Sequence, residues 1–255
     1  DKYGVLPEVT ATRPGYHFGG WYTAPNGGQE ITADTIVKIT APTTLYARLA
    51  PNTYRVRFNS NGGSGYLDVQ THTYGQSLAL AENKFVKDGY TFSGWNTKAD
   101  GSGVSYHDRE SVMNLAENQD EEVTLFAQWS INSYTVAFNT DGGTAVDAIT
   151  QIYNTEVEKP ADPAKHGYSF AGWMNGTELV TFPLVLTNNL NLTAKWDPVE
   201  YTINYIGTDG IENSNPISYT IESDAVVLAD PGPKTGYTFA GWYTSEDRSE
   251  ESKVT

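Results

Sequence analysis

The chain has 255 residues, of which 13% are aromatic, 38% are hydrophobic and 24 are glycine. This composition is too aromatic for a disordered chain and too polar for one large core, so it favours several small domains. The net charge of −15 argues against nucleic acid as a partner, and the lack of cysteine excludes disulfides and thiolate chemistry.

A heptad of sequence Gly-Tyr-x-Phe-x-Gly-Trp occurs four times, which predicts a tandem repeat. The four copies begin at Gly15, Gly89, Gly167 and Gly236. Tyr and Phe alternate with small or polar residues, so each heptad is predicted to be a strand with both aromatic rings in the core. The glycine before Trp predicts a β-bulge or a close backbone approach.

Each heptad is followed by a turn rich in Asn, Asp and Gly, and further on by a short closing strand. The closing strands are predicted over residues 44–49, 124–129 and 191–196. The segment between the heptad and the closing strand varies between copies. In the second copy we predict a helix there, because Asp108 would cap a turn that carries Val112 and Leu115 at helical spacing.

An opening strand follows each closing strand after four linker residues. In the second copy, residues 54–59 alternate between apolar and polar side chains, the pattern of a half-buried strand. This strand leads into Asn61-Gly62-Gly63, and the third copy has Asp141-Gly142-Gly143 at the same place. Both sequences predict type I′ turns, since Asn-Gly and Asp-Gly tolerate positive φ. Return strands are predicted over residues 69–73 and 149–152.

These patterns divide the chain into four units. Residues 1–49 form a partial repeat that lacks its opening strand, residues 54–129 and 134–196 form complete repeats, and residues 201–255 form a truncated repeat. Four linker residues span at most ~14 Å, so neighbouring units cannot separate far. We therefore expect a monomeric, elongated array of small units that are α+β, mostly β, with about five strands each.

The double-glycine turn, the heptad strand and closing strands such as Thr124-Leu125-Phe126-Ala127-Gln128-Trp129 together resemble the Listeria–Bacteroides repeat, or internalin B-repeat, family. The resemblance covers nearly the whole chain. It is weaker at Leu49, where a closing Trp is expected, and at Asp209-Gly210, where a double glycine is expected. It implies tandem β-grasp (ubiquitin-like) repeats in a secreted or cell-wall-attached bacterial surface protein, typically Gram-positive. Such repeats imply a stalk or cell-adhesion module without catalytic residues.

The many aromatic residues also suggest sugar binding, because exposed rings stack on sugar faces. All six tryptophans lie within the two repeated signatures, so we interpret them as core residues of each unit. They are Trp21, Trp95, Trp129, Trp173, Trp196 and Trp242. The variable positions between Trp95 and Leu125 are better candidates for a ligand surface, since loops on a fixed scaffold carry recognition.

No catalytic, cofactor-binding or metal site is predicted. The four histidines lack metal-ligand spacing, and the Asn/Asp/Gly turns lack the alternating acidic pattern of a calcium loop. The histidines are His17, His72, His107 and His166. The sequence has no nucleophile elbow and no phosphate-binding glycine loop, so an enzyme is disfavoured and no cofactor is expected. An isopeptide cross-link stays open, although no triad for it is evident.

Two functions are consistent with these patterns. The first is a non-catalytic stalk or adhesive module that spaces or presents a neighbouring functional domain. The second is a multivalent array that binds a host surface protein or a glycan, in which weak sites gain from multiplicity. Membrane insertion is not expected, because no apolar run reaches the ~18 residues of a spanning helix.

Overall fold

The computed structural model describes residues 6, 9, 13–36 and 42–254. This part of the chain is built from short strands, and the helix within it is the three-residue 3-10 helix Glu250–Ser252. The chain divides into two compact units, Asp1–Asn132 and Ser133–Thr255. Each unit contains two of the four repeats.

The first unit begins with a three-stranded antiparallel sheet in the order β2-β1-β3. Its strands are β1 (Tyr16–Tyr22), β2 (Glu30–Ile31) and β3 (Tyr46–Pro51). β1 is the first heptad strand, and β3 contains most of the predicted closing strand. The residues before Arg13, where an opening strand is predicted to be absent, lie mostly outside the described residues.

The second repeat forms a five-stranded mixed sheet with the strand order β5-β4-β10-β7-β8. The opening strand β4 and the closing strand β10 are parallel neighbours, and the other pairs are antiparallel. A separate antiparallel pair, β6–β9, lies in the two connecting segments. The strands are β4 (Thr53–Asn59), β5 (Gln70–Thr73), β6 (Leu78–Ala79), β7 (Tyr90–Asn96), β8 (Ser105–Tyr106), β9 (Ser111–Val112) and β10 (Glu122–Ile131).

The second unit repeats this arrangement, with a five-stranded sheet in the order β12-β11-β17-β14-β15 and a separate β13–β16 pair. The fourth repeat contributes only one short antiparallel pair, β18–β19, among the described residues. The strands are β11 (Ser133–Asn139), β12 (Ile149–Ile152), β13 (Thr155–Val157), β14 (Tyr168–Asn175), β15 (Glu178–Leu179), β16 (Leu184–Leu186), β17 (Leu190–Pro198), β18 (Tyr201–Thr202) and β19 (Ser218–Tyr219).

The heptad tryptophan is the centre of the core in both complete repeats. Trp95 is fully buried, and its ring lies 4.8 Å from that of Phe58 and 4.9 Å from that of Phe92. Trp173 is buried in the same way in the third repeat, 4.8 Å from Phe138. The core interpretation of these two tryptophans is confirmed. The other four are half-buried.

The closing tryptophan and the double-glycine turn are packed against each other. Trp129 donates its ring N–H to the carbonyl of Ser60 at 2.9 Å, and a Cβ on Gly63 would lie 2.8 Å from the indole. The second glycine of the turn is therefore required by a ring that is distant in sequence. The third repeat has the same arrangement, with Trp196 donating to Thr140 at 3.0 Å.

The predicted turn and bulge are both present. Asn61 and Gly62 have φ of 47° and 85°, as a type I′ turn requires, although the return strand begins only at Gln70. Gly94 has φ of 139°, the register shifts next to it, and a Cβ there would lie 2.8 Å from the Tyr106 carbonyl oxygen. The glycine before Trp thus forms the predicted bulge with a close backbone approach.

The helix predicted in the second repeat is wrong. Arg109 and Asn114 both have φ of 57°, which interrupts a right-handed helix, and Val112 lies in strand β9. Asp108 accepts a hydrogen bond from the backbone of Asn83 instead of capping a helix. Of the prediction of α+β, mostly β units, the mostly-β part is confirmed: the described residues form a nearly all-β architecture.

Candidate inter-repeat interface

Consecutive repeats are joined by almost continuous strands. β3 ends at Pro51 and β4 begins at Thr53, so only Asn52 separates them. β10 and β11 are likewise separated by Asn132 alone. The predicted four-residue linkers are thus mostly parts of strands.

The linker is also hydrogen-bonded to the preceding repeat. The backbone N–H of its third residue donates to the carbonyl of the glycine that opens the preceding heptad. These bonds are Asn52 to Gly15 at 2.8 Å, Asn132 to Gly89 at 2.9 Å, and Val199 to Gly167 at 2.9 Å. In these three copies, the carbonyl of the first heptad glycine therefore accepts a hydrogen bond from the linker that follows the repeat.

A turn of sequence Arg/Lys-x-Gly-Tyr opens every heptad, and it was missed in the sequence prediction. The strand prediction for the heptads is confirmed for the first three copies and wrong for the fourth, which forms no strand in the structure. In each copy the Tyr N–H donates to the carbonyl of the basic residue, at 3.0–3.2 Å, and the glycine has φ between 74° and 80°. Glycine with positive φ at the third position is the requirement of a type II turn. The four turns begin at Arg13, Lys87, Lys165 and Lys234.

The turn places its basic side chain over the ring of the heptad tyrosine. The cation lies 3.9 Å from the ring centroid for Arg13 and Tyr16, and 4.4 Å for Lys87 and Tyr90. Such cation–π contacts are favourable by about 0.5–1 kcal/mol at exposed sites. The prediction that the heptad tyrosine lies in the core is therefore wrong: Tyr90 is half-buried under a lysine, while Phe92 packs against the core.

In the first unit, Tyr74 of the second repeat packs on the turn glycine and the heptad tyrosine of the first repeat, Gly15 and Tyr16. A Cβ on Gly15 would overlap the ring of Tyr74, so only glycine permits the contact. The rings of Tyr16 and Tyr74 meet edge to face, with centroids 5.9 Å apart. This is one of the preferred geometries for an aromatic pair.

Buried polar bonds accompany the ring contact in the first unit. The side chain of Asn52 is bonded to His17 Nδ1 at 2.8 Å and donates to the carbonyl of Glu117 at 2.6 Å. Its backbone carbonyl accepts from Tyr74 N–H at 2.8 Å. Asn52 thus connects residues of both repeats, which satisfies the polar groups of this buried side chain.

In the second unit, Ile221 of the fourth repeat packs on the equivalent turn glycine of the third repeat, Gly167. A Cβ on Gly167 would lie 2.8 Å from the Ile221 side chain. Tyr168 donates its hydroxyl to the Glu222 carboxylate at 3.0 Å, and this bond together with the carboxylate charge raises the pKa of Tyr168. Tyr74 and Ile221 each lie two residues after the return-strand residue that pairs with the first tyrosine of the opening strand, so the same position of two repeats makes the same contact.

The structure does not bring the four histidines together. His17 lies in the interface, His166 is exposed, and His72 is buried against the Tyr54 ring, with the ring centroids 5.3 Å apart. Burial lowers the pKa of His72, whose two ring nitrogens have no hydrogen-bond partner. Within the described residues, no three His, Asp or Glu side chains are grouped as metal ligands.

A shallow cavity of about 320 Å³ lies on the second repeat. It is lined in part by Ser105, Tyr106, His107 and Glu110, which belong to the variable segment predicted as a ligand surface. Burial, with a smaller contribution from the charge of Glu110, raises the pKa of Tyr106. The lining can therefore offer an apolar ring face and hydrogen-bonding groups to a small polar molecule.

The fold and the repeated interface define a class of proteins: tandem arrays of small β-sheet repeats. A family model for the Listeria-Bacteroides repeat domain matches residues 2–48, 54–128, 134–195 and 201–255. The chain belongs to this repeat family. No helix in the described part of the chain is both long enough and apolar enough to cross a membrane.

Relatives over most of the chain are named as membrane proteins. A "Putative Gly-rich membrane protein" of Evansella cellulosilytica is 34% identical over 262 residues, which cover 96% of this chain and 29% of that protein. Internalin H of Listeria monocytogenes is 39% identical over 88 residues, or 34% of this chain and 15% of that protein. The chain therefore spans less than a third of the length of either relative.

Proposed function

We propose that this chain is a non-catalytic stalk of a bacterial surface protein, secreted or attached to the cell wall, that holds a neighbouring domain away from the cell. The observation that carries the proposal is the repeated interface, in which a short linker is hydrogen-bonded to the preceding repeat. A spacer needs resistance to bending at its junctions, and this contact restricts bending within each of the two units. The names of the relatives support the surface location.

The repeat architecture supports the same proposal. In a tandem array each repeat contacts its neighbours only, so length is set by the number of repeats and not by a new core for each length. We infer that the repeats are variants of the β-grasp fold, because the opening hairpin, the heptad hairpin and a parallel central closing strand occur in the order β5-β4-β10-β7-β8. The helix of that fold is replaced by the β6–β9 pair.

A deletion tests the spacing function. The chain is displayed between a cell-wall anchor and a terminal epitope, with residues 134–200, one repeat and its linker, either kept or removed. The deletion should lower the height of the epitope by about 30 Å, the diameter of one unit, as measured by fluorescence localisation. A small labelled protein that binds the epitope measures the number of displayed chains in both strains, so that a difference in display level is recognised. Equal epitope heights would contradict a spacing role.

The alternative is a multivalent binding array, which the cavity on the second repeat favours. Its lining by Tyr106, His107 and Glu110 offers a ring and hydrogen-bonding groups, the chemistry of glycan recognition. The purified chain is screened against glycans and matrix proteins, together with a variant whose residues 103–110 are exchanged. Saturable binding that is lost on exchange, with an unchanged unfolding midpoint, would support an adhesive function. No saturable binding would contradict it.

A further inference from the structure

The glycine before the heptad tryptophan is covered by a side chain in three of the four repeats. This side chain belongs to the residue that pairs with the residue directly after the tryptophan, and we call its place the covering position. A Cβ on the glycine would lie 3.2 Å from Glu30 in the first repeat, 2.6 Å from Leu179 in the third and 3.3 Å from Lys253 in the fourth. The three covered glycines are Gly20, Gly172 and Gly241.

The second repeat has a serine at the covering position. Ser105 pairs with Asn96, and its hydroxyl accepts a hydrogen bond from the Asn96 amide at 2.9 Å. Apart from its chain neighbours, a Cβ on Gly94 would meet only the backbone carbonyl of Tyr106 within 4 Å, so no side chain covers this glycine. Gly94 and Ser105 instead line the cavity of about 320 Å³. The cavity therefore lies where the other three repeats have a longer side chain.

The cavity wall combines an aromatic ring with groups that donate and accept hydrogen bonds. Hydroxyl and amide groups do both, as the neighbouring hydroxyls of a sugar do. The half-buried ring of Tyr106 offers apolar surface to the C–H face of a sugar ring. The polar lining consists of Ser93, Ser105, His107, Glu110 and Gln128.

Glu110 gives the cavity a negative charge at a fixed place. Its carboxylate accepts a hydrogen bond from the backbone N–H of His107 at 2.6 Å, and its own N–H donates to the His107 carbonyl at 3.3 Å. Like charges repel, so this carboxylate disfavours an anionic ligand. The lining therefore favours a neutral, hydroxylated molecule.

We propose that the second repeat binds one neutral sugar residue in this cavity, and that the covering position decides whether a repeat has such a site. This inference rests on the binding function given above as the alternative, and it changes one part of it. Within the described residues the glycine is uncovered in the second repeat alone, so the array presents one site and not several.

The size of the cavity agrees with a single sugar residue. A volume of about 320 Å³ lies at the lower end of the ~300–1,000 Å³ range of small-molecule sites. The cavity is also shallow, so it takes the terminal residue of a glycan and leaves the remainder of the glycan in solvent.

Protein-observed NMR tests the site residue by residue. The ¹⁵N-labelled chain is titrated with glucose, galactose, mannose and N-acetylglucosamine, and with N-acetylneuraminic acid as the anionic probe. At least one neutral sugar should give saturable shifts of the Gly94 and Tyr106 amides, while the amides of Gly172 and Leu179, in the covered third repeat, stay unchanged. The anionic probe should give no saturable shift.

Substitutions at the covering position test its role. Ser105→Leu supplies the side chain that the third repeat has at this position and should weaken binding by about tenfold or more, because it occupies the space of the ligand. Ser77→Leu is the matched control, since Ser77 is exposed and does not line the cavity, and it should leave the affinity unchanged. Ser105→Ala loses the hydrogen bond with Asn96 but keeps the cavity open, so it should weaken binding only a few-fold.

Three outcomes would overturn the proposal. Shifts that survive Ser105→Leu would place the sugar elsewhere, and an equal loss in Ser105→Ala would assign the effect to the bond with Asn96. No saturable shift with any of the four neutral sugars would reject the cavity as a sugar site. In that case, saturable binding of a matrix protein in the screen described above would retain an adhesive function, and the epitope-height experiment tests the spacer independently.

Discussion

At the residue scale, glycine and tryptophan positions have contacts that explain why the repeats contain them. Gly63 faces the Trp129 ring, Gly94 faces a backbone carbonyl, and Gly15 faces Tyr74. The contact between Gly15 and Tyr74 joins two repeats. One heptad therefore contains residues that pack in the core of its own repeat and residues that contact the neighbouring repeat. A substitution in the heptad can therefore act on folding or on the junction, depending on its position.

Trp95→Ala should unfold the second repeat preferentially. Its fully buried ring contacts Phe58, Phe85 and Phe92, and large-to-small changes of this kind cost about 3–5 kcal/mol. Urea unfolding followed by circular dichroism measures the loss. Tyr66→Ala, at an exposed position of the same repeat, should change stability by less than about 0.5 kcal/mol. Equal effects of the two substitutions would contradict the core position of Trp95.

His72 should make the second repeat less stable in acid. Burial lowers the pKa of His72 below its ordinary value of 6.5, so the unfolded chain takes up a proton before the folded chain does. The stabilising contribution is therefore complete above about pH 6.5 and is lost as the pH falls below that value.

The measurement is the urea midpoint of the chain between pH 7.5 and 5. His72→Gln is the matched variant, because Gln151 occupies the equivalent strand position in the third repeat. The wild-type midpoint should fall more steeply with acid than that of the variant. Parallel pH profiles would show that His72 does not contribute to acid sensitivity.

At the element scale, the strands and turns are predictable from local patterns, but their arrangement is not. Alternation in residues 54–59 is enough to predict a strand, and the Asn-Gly dipeptide is enough to predict a turn with positive φ. The position of β10 between β4 and β7 depends on long-range pairing, which no local pattern encodes. The helical part of the α+β prediction came from one local pattern in the second repeat.

The wrong helix shows how a local signal fails. Asp108, Val112 and Leu115 have the spacing of a capped helix, but Val112 is buried equally well by a two-residue strand. Periodicity over so few residues cannot distinguish the two structures. The interface was missed for a different reason: Arg/Lys-x-Gly-Tyr recurs four times in the sequence, but nothing local shows that its tyrosine contacts a neighbouring repeat.

The interface between the first two repeats should couple their stabilities. Tyr16→Ala and Tyr74→Ala remove the two rings of the edge-to-face pair. A double-mutant cycle from urea unfolding should give a coupling energy of about 0.5–1.5 kcal/mol, the usual value for such pairs. Tyr66→Ala combined with Tyr16→Ala is the control and should be additive. Additivity of the Tyr16 and Tyr74 changes would mean that the contact does not stabilise the junction.

At the scale of the whole molecule, each complete repeat is stabilised by a small core of its own. Each complete repeat has its own aromatic core around Trp95 or Trp173. The net charge of −15 keeps such an array soluble and disfavours its collapse through mutual repulsion. These features agree with the proposed spacer function, which requires an extended chain.

The shape of the chain in solution tests this account most directly. Under the proposed spacer function, small-angle scattering at 150 mM salt should give a maximum dimension of about 120 Å and a radius of gyration of roughly 35 Å, as expected for four units of about 30 Å placed end to end. A radius of gyration near 18 Å, the value for a globular chain of this length, would contradict the spacer account.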